Sequence, residues 1–265
     1  MKFVKTQSIN AIPEAPAPVF PAGAPGQASA DRRKAGSVRT GFLGILMLET
    51  HFPRPRGDIG HPDSFPVPTR RLIVHGASAG KVVQRAPVLG SSGLLAHFIA
   101  AARRLEAEGA SSITTSCGFL VLFQREIQAA VQVPVVTSSL LMLPGLLESR
   151  PRVGLLTISS ERLDREYLEA AGVPRDRAAD VIVQGVEPHG EFVSAILGDR
   201  PQMDFAMAES EVIEAAATLK QRAPELDTVV LECTNLPPYA AGIQQATGMR
   251  CVSLLDCETL LRPFA

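Results

Sequence analysis

The sequence predicts an α/β protein built as two pseudo-symmetric three-layer α/β/α domains, with mostly parallel sheets and a small-molecule site in the cleft between them. Three observations predict it. Short apolar runs alternate with stretches of helical periodicity along most of the chain, the pattern of βαβ units. An internal duplication is visible: Gly44-Ile45-Leu46 opens one half as Gly154-Leu155-Leu156 opens the other, and Cys117 and Cys233 follow 73 and 79 residues later. After each cysteine the next strand falls at one offset, with Val135 and Cys251 each 18 residues on. Each cysteine also ends a predicted strand, and open parallel sheets bind ligands at the carboxyl ends of their strands.

In order, residues 1–37 are rich in Pro, Ala and Gly, cannot bury much surface, and read as a flexible N-terminal arm. Residues 38–150 read as a first domain carrying Cys117, and 151–265 as a second carrying Cys233, with the last segment free to pack back on the first. The apolar run 41–48 is a buried parallel strand. A Pro/Gly-rich loop covers 49–68, and loops this long inside a domain tend to be functional or disordered. A strand at 71–74 precedes a helix capped by Ser91 or Ser92, with Leu94, Leu95, Phe98, Ala102 and Leu105 inward and Gly109 as its stop. A strand at 112–116 leads into a helix at 118–131 with Leu122, Ile127 and Val131 inward, then a strand at 133–136. The second half reads as a strand at 152–158, a helix at 160–171 closed by Gly172, and a strand at 181–183. A long helix at 206–222, a strand at 228–232, a helix at 237–247 and a strand at 250–255 complete it.

Composition narrows the function. The net charge of −1 leaves no basic footprint for nucleic acid or an anionic membrane. No apolar run approaches the roughly 20 residues of a membrane span. Trp is absent and aromatics make up 5%, which disfavours a stacking platform for bases or sugars. The start carries lysines without the apolar core of a signal peptide, so a cytoplasmic protein with free thiols is expected. A homo-oligomer is left open.

The two cysteines carry the chemistry. Cys117 lies in Thr114-Thr115-Ser116-Cys117-Gly118-Phe119, and Cys233 in Leu231-Glu232-Cys233-Thr234-Asn235-Leu236-Pro237. Each precedes a predicted helix, whose first N–H groups favour a thiolate and can hold a carboxylate. A facing thiol and thiolate can take a proton from one side of a carbon and return one to the other, with no metal and no cofactor. Metal ligation is not expected, since no histidine pair has ligand spacing and no CxxC occurs. Cys251 and Cys257 lack such context and read as core or surface thiols.

At these residues the sequence resembles the aspartate/glutamate racemase superfamily, in which each half supplies a cysteine from a strand–Cys–helix motif. The stretch from Leu231 to Pro237 is similar to the second motif, while Cys117-Gly118-Phe119 departs from the common Cys-Asn-Thr form of the first. The resemblance implies a cofactor-independent racemase or isomerase of an amino acid or related carboxylate, with Cys117 and Cys233 as a two-base pair. Hydantoin racemases, maleate isomerases and arylmalonate decarboxylases share the superfamily. It places substrate-binding groups in the loop after the first strand, where Glu49, Thr50, Arg56 and Asp58 are candidates, and around the cysteines at Ser116, Gly118, Phe119, Thr234 and Asn235. Thr137 and Ser138 could line the same crevice or cap a helix, and His189 could serve Cys233 as an auxiliary proton partner. Two rivals stand beside this reading. One is a non-catalytic small-molecule binder. The other is a serine hydrolase, because Gly76-Ala77-Ser78-Ala79-Gly80 matches a nucleophile elbow, although Pro87 interrupts the helix that should follow.

Overall fold

The computed structural model describes residues 41–265; expectations for residues 1–37, and for the onset of order near Val38, lie outside them. Strand β1 (Phe42–Leu48) is buried at every position, as an apolar run without alternation should be when both faces are covered. It pairs in parallel with β2 (Thr69–Val74) and β3 (Ala110–Thr115), and β4 (Val135–Val136) pairs with β3, giving the order β2-β1-β3-β4. The second sheet contains β5 (Val153–Thr157), β6 (Val181–Gly185), β7 (Thr228–Leu231) and β8 (Arg250–Val252), all parallel, in the order β6-β5-β7-β8. The two orders are the same once the strands of each half are counted from its first.

The duplication extends to register. Gly44 sits opposite Ile113 on β3, and Gly154 sits opposite Val229 on β7. Four residues beyond those partners stand Cys117 and Cys233. The two residues at the 18-residue offset occupy matching places as well, Val135 beside Ile113 and Cys251 beside Val229. The glycines themselves do the same work. A Cβ on Gly44 would meet Leu105 Cδ1 at 2.9 Å, and one on Gly154 would meet Leu219 Cδ2 at 3.0 Å and the Thr228 carbonyl oxygen at 3.2 Å. Their bare backbone lets the long helix of each half lie close on its central strand.

The helices are α1 (Ala79–Val82), α2 (Ala86–Gly90), α3 (Leu95–Ala107), α4 (Gln124–Ala129), α5 (Leu143–Ser149), α6 (Arg165–Ala170), α7 (Glu191–Leu197), α8 (Phe205–Arg222), α9 (Ala240–Thr247) and α10 (Glu258–Leu261). Helix α8 follows its sequence closely. Asp204 caps it by accepting from the Ala206 and Met207 N–H groups, Val212, Ala216 and Leu219 face the core, and Lys220 and Arg222 stand in its last turn. The chain then returns to its first half. Leu254, Cys257 and Leu260 pack on Leu43, Ile45 and Met47 in a second apolar cluster, and Ser112 Oγ donates to the Leu260 carbonyl at 2.7 Å. This C-terminal segment covers the face of the first sheet that α3 does not. Residues 41–265 belong to one compact unit, and no helix among them is long and apolar enough to cross a membrane.

Several expected elements differ. The helix expected at 118–131 begins as a 3-10 turn (Gly118–Phe123) and becomes α4 only afterwards. Phe119, Leu120, Val121 and Phe123 are all buried while Leu122 is half-buried, so no single α-helical stripe could have covered the segment. The helix expected at 160–171 starts at Arg165, because Asp164 caps it from the Glu166 N–H. Ser91 and Ser92 do not cap α3, whose N-cap is Leu94 without a side-chain bond. The last strand stops at Val252, turned by a capping box between Ser253 and Asp256. Helices α1, α2, α5, α7 and α10 were not anticipated; each is seven residues or shorter, too brief for its periodicity to declare itself.

Packing at the central glycines gives the first prediction. Gly154→Ala should lower unfolding free energy by about 1–3 kcal/mol through overpacking. Gly145→Ala, exposed in α5 with open space around it, should raise it by up to about 1 kcal/mol. Urea melts of both variants check the contrast, and equal effects would contradict it.

Candidate functional site

Strands β3 and β7 end by delivering Ser116-Cys117 and Glu232-Cys233 into one place. The ladder persists one residue past each strand, with the Ser116 N–H donating to Leu46 and the Glu232 N–H to Leu156, again matching positions of the two halves. Both sulfurs then line one small cavity. Its walls are mainly apolar, from Leu48, Phe52, Ala79, Val83, Phe119, Ile158 and Ile196, and its polar members are Arg54, Ser116, Glu232, Thr234 and Asn235. Both cysteines are buried. Burial pushes both thiols well above the usual range, and the nearby Glu232 carboxyl pushes the same way. The Phe119 N–H pulls Cys117 down and the Asn235 N–H pulls Cys233 down, each from two residues on, and Arg54 also lowers Cys117.

A chain of polar contacts runs from the first loop to Cys233. Arg54 Nη2 donates to Thr50 Oγ1 at 3.0 Å, and Arg54 Nη1 to Asp58 Oδ1 at 2.8 Å. Asp58 Oδ1 also takes the Gly60 N–H at 2.7 Å, and Asp58 Oδ2 takes the Asn235 side-chain amide at 2.6 Å. That contact fixes which way the amide points and leaves Asn235 Oδ1 to accept from Cys233 Sγ at 3.4 Å. Gly57 permits the approach of this loop. It sits at φ +101°, and a Cβ there would touch Pro238 Cα at 3.0 Å. Across the cavity floor, Thr234 Oγ1 donates to the Ser116 carbonyl at 2.6 Å, and the Ile59 N–H donates to the Thr234 carbonyl at 3.1 Å.

Glu232 is the member that sequence reasoning passed over. It is 1% exposed, with Oε2 accepting from Thr157 Oγ1 at 2.7 Å and Oε1 without a partner. Burial raises its carboxyl to about 7, against a smaller downward pull from Thr157. Oε1 occupies the place where residue 118 would carry a side chain, 2.3 Å from a Cβ built on Gly118. A charged residue closing an otherwise apolar strand, directly before a cysteine, was the available signal. Arg54 was likewise passed over in favour of Arg56; its signal was the four-residue spacing to Asp58.

The structure gathers Cys117, Cys233, Ser116, Gly118, Phe119, Thr234 and Asn235 around the cavity, with Asp58 directly behind Asn235 and Thr50 behind Arg54. It leaves other expected residues elsewhere. The Glu49 carboxylate turns away to His75 Nδ1 and the Gly76 N–H, holding the turn after β2, and those contacts lower it. Arg56 is exposed and lines no part of the cavity. Thr137 Oγ1 binds Gln124, and Ser138 caps the 3-10 turn Ser139–Met142, so both serve local structure. His189 is exposed in its turn, away from the cavity wall. Ser78 precedes α1 without any side-chain cap bond, and α1 is only four residues long, which withholds the helix a nucleophile elbow requires. Cys251 contacts the Ala240 carbonyl, with burial raising it to about 11, and Cys257 belongs to the C-terminal apolar cluster.

Comparison with known proteins follows the same lines. A family model described as Asp/Glu/hydantoin racemase matches residues 68–259. A dimethylsulfoniopropionate lyase from Durusdinium sp. clade D is 29% identical over 239 residues, covering 87% of this chain and 77% of that one. Dimethylsulfoniopropionate lyase 7 of Emiliania huxleyi is 30% identical over 228 residues, covering 83% of this chain and 66% of its own. An unliganded arylmalonate decarboxylase superposes with a TM-score of 0.53 at 15% identity, over 85% of this chain and 92% of that one. A glutamate racemase isoform from Bacillus anthracis gives 0.53 at 16% identity, over 84% and 79%. At these identities the two solved structures speak for the fold.

The polar chain generates a stability prediction. Asp58→Ala strands the Arg54 guanidinium, itself only 10% exposed, and should cost about 3–5 kcal/mol. Glu49→Gln, at a 42% exposed carboxylate, should stay within about 1 kcal/mol. Denaturant unfolding of both decides it; comparable losses would show that the Arg54–Asp58 pair is not what holds the loop.

Proposed function

The chain belongs to the Asp/Glu/hydantoin racemase family, and from that premise we propose that it removes the proton α to a carboxylate with a cysteine sulfur and cleaves dimethylsulfoniopropionate or a closely similar onium-substituted propionate. The observation that carries the reading is the pair of register-equivalent cysteines facing one buried, mainly apolar cavity. Elimination is favoured over racemisation because the relatives at 26–30% identity over at least 80% of this chain are dimethylsulfoniopropionate lyases.

The substrate's chemistry suits the cavity. A base takes the α-proton, the C–H pair becomes the α–β double bond, and the bond from the β-carbon to sulfur breaks, releasing dimethyl sulfide and acrylate. Cys117 is assigned as the base, since the Phe119 N–H and Arg54 both favour its thiolate. Cys233 is assigned as the retained thiol, because its S–H already has an acceptor in Asn235 Oδ1. It can donate toward the carboxylate as charge develops there. Arg54, lining the cavity with donors beyond those used by Thr50 and Asp58, is assigned to the substrate carboxylate. The Phe119 ring and the aliphatic walls suit a methylated onium group, while the Phe52 ring carries the Arg54 guanidinium 4.3 Å from its centroid. None of these steps calls on a metal or an organic cofactor.

A second reading, racemisation or isomerisation of an amino acid or related carboxylate, is favoured by the matching placement of the two sulfurs. There each cysteine would serve as base for one enantiomer and acid for the other.

Headspace measurement of dimethyl sulfide from dimethylsulfoniopropionate is the direct test. Wild type should release it, and Cys117→Ala and Cys233→Ala should each lose about 10²–10⁴-fold in turnover while remaining folded. Thr234→Val, which removes the bond to the Ser116 carbonyl, should lose far more activity than Cys251→Ala. Wild-type protein that releases no sulfide but exchanges and inverts the α-proton of amino acids or hydantoins in heavy water would establish the second reading.

A further inference from the structure

Elimination differs from racemisation in its proton balance. A two-base racemase gives its substrate one proton for each proton it takes. A lyase acting on a zwitterionic sulfonium releases an anion, a neutral sulfide and one proton more than the substrate can reabsorb. That proton first lands on a buried thiol, from which direct transfer to water is obstructed. The thiol meets the same obstacle beforehand, since an apolar cavity opposes its ionisation.

The geometry points to Glu232 as the proton partner of Cys117, accepting the thiol proton as the reaction begins and holding the surplus proton that elimination leaves. For the surplus proton the inference rests on the lyase reading. Glu232 lines the same cavity as both sulfurs. Its Oε2 is engaged by Thr157, but Oε1 is fully buried without a partner, over Gly118 and so beside Cys117. A buried carboxyl oxygen without a partner is costly and calls for an explanation. The first half has no counterpart, since the matching residue, Ser116, spends its hydroxyl on the Leu48 N–H. A symmetric two-base enzyme has no need of a carboxyl on one side alone. The groups facing Glu232 are Cys117, Cys233 and the Tyr167 hydroxyl, with Arg54 on the cavity wall and Asp58 behind Asn235. Tyr167 donates to the Gln84 carbonyl and is pushed up by burial, so it stays protonated.

The step balances. The Sγ–H bond of Cys117 breaks and an O–H bond forms on Glu232. The thiolate then takes the α-proton, the C–H bond breaks, the double bond forms, and the carbon–sulfur bond breaks with its electron pair leaving on dimethyl sulfide. Cys117 is again a thiol, and Glu232 carries the additional proton until it passes to water as products depart. Thiol and carboxyl thus share one negative charge. The active form arises when the pair loses its first proton, near the Glu232 value of about 7 rather than at the higher value of an isolated buried thiol.

The test is the pH dependence of dimethyl sulfide release by wild type, Glu232→Gln and Thr157→Val, with folding checked by thermal melts. Wild-type kcat should rise with pH through an acid limb near neutrality. Glu232→Gln should move that limb into the alkaline range and lower kcat at pH 7 about 10²-fold, with KM little changed. Thr157→Val removes a hydrogen bond that favours the carboxylate, so its limb should move up by about one pH unit with the glutamate still present. A Glu232→Gln enzyme that keeps a neutral limb and wild-type kcat overturns the inference, as does an unmoved limb in Thr157→Val should Glu232→Gln fail to fold. Wild type that makes no dimethyl sulfide overturns the lyase reading itself, and the surplus-proton role with it.

Discussion

The hydrogen bond from Thr234 Oγ1 to the Ser116 carbonyl joins residues 118 apart in the chain, and the cavity depends on it. Each half of the molecule folds around its own sheet, and neither sheet carries more than one of the two facing sulfurs. What turns two strand ends into one site is the small set of contacts that cross between them. Ser139 Oγ donates to the Leu231 carbonyl at 2.8 Å, which fixes β7 just before Glu232 and Cys233. The Ile59 N–H holds the Thr234 carbonyl from the opposite side, so the first loop is tied to the second cysteine turn. The Thr234 and Ser139 contacts use backbone carbonyls at or just past strand ends, and they need small hydroxyl side chains that reach no further than one bond.

Within this frame the two halves are alike in backbone and unlike in chemistry. Both cysteines leave their strands at the same register and meet an N–H two residues on. The residues before and after them break the likeness. Ser116 stands where the other half has Glu232, and Phe119 stands where it has Asn235. One sulfur therefore faces an aromatic wall and the other a fixed amide, while a single buried carboxyl influences both. The duplicated fold supplies the opposed geometry, and these two differences, with Gly118 where the other half has Thr234, supply the difference in surroundings.

Much of this was legible in the sequence for a simple reason: a parallel strand covered on both faces must be a short apolar run, and β1, β5 and β7 are such runs. The equal offsets from cysteine to following strand could be read because each turn and helix between them spans the same distance in both halves. Side-chain direction in the first loop was not legible. Glu49, Arg54, Arg56 and Asp58 are all polar residues in one irregular stretch, and the partners that turn Arg54 and Asp58 inward include Asn235, 177 residues from Asp58 in the chain. Thr137 and Ser138 read equally well as site or cap, and local hydrogen bonds took both. The 3-10 turn after Cys117 was illegible for the opposite reason, an excess of apolar residues that fits any buried conformation.

Gly118 and Glu232 occupy one volume between them. The carboxyl oxygen and the Glu232 carbonyl oxygen each lie 2.3 Å from a Cβ built at 118, so the space a side chain directly after Cys117 would need is taken. A side chain at 118 would therefore have to displace the backbone that leads into Cys233 as well as the carboxyl. Shortening residue 232 alone would remove the acid and still leave its carbonyl oxygen in the way of a side chain at 118. The missing side chain after the first cysteine and the close approach of the second cysteine turn are thus one steric condition, and position 118 is where the two strand ends touch.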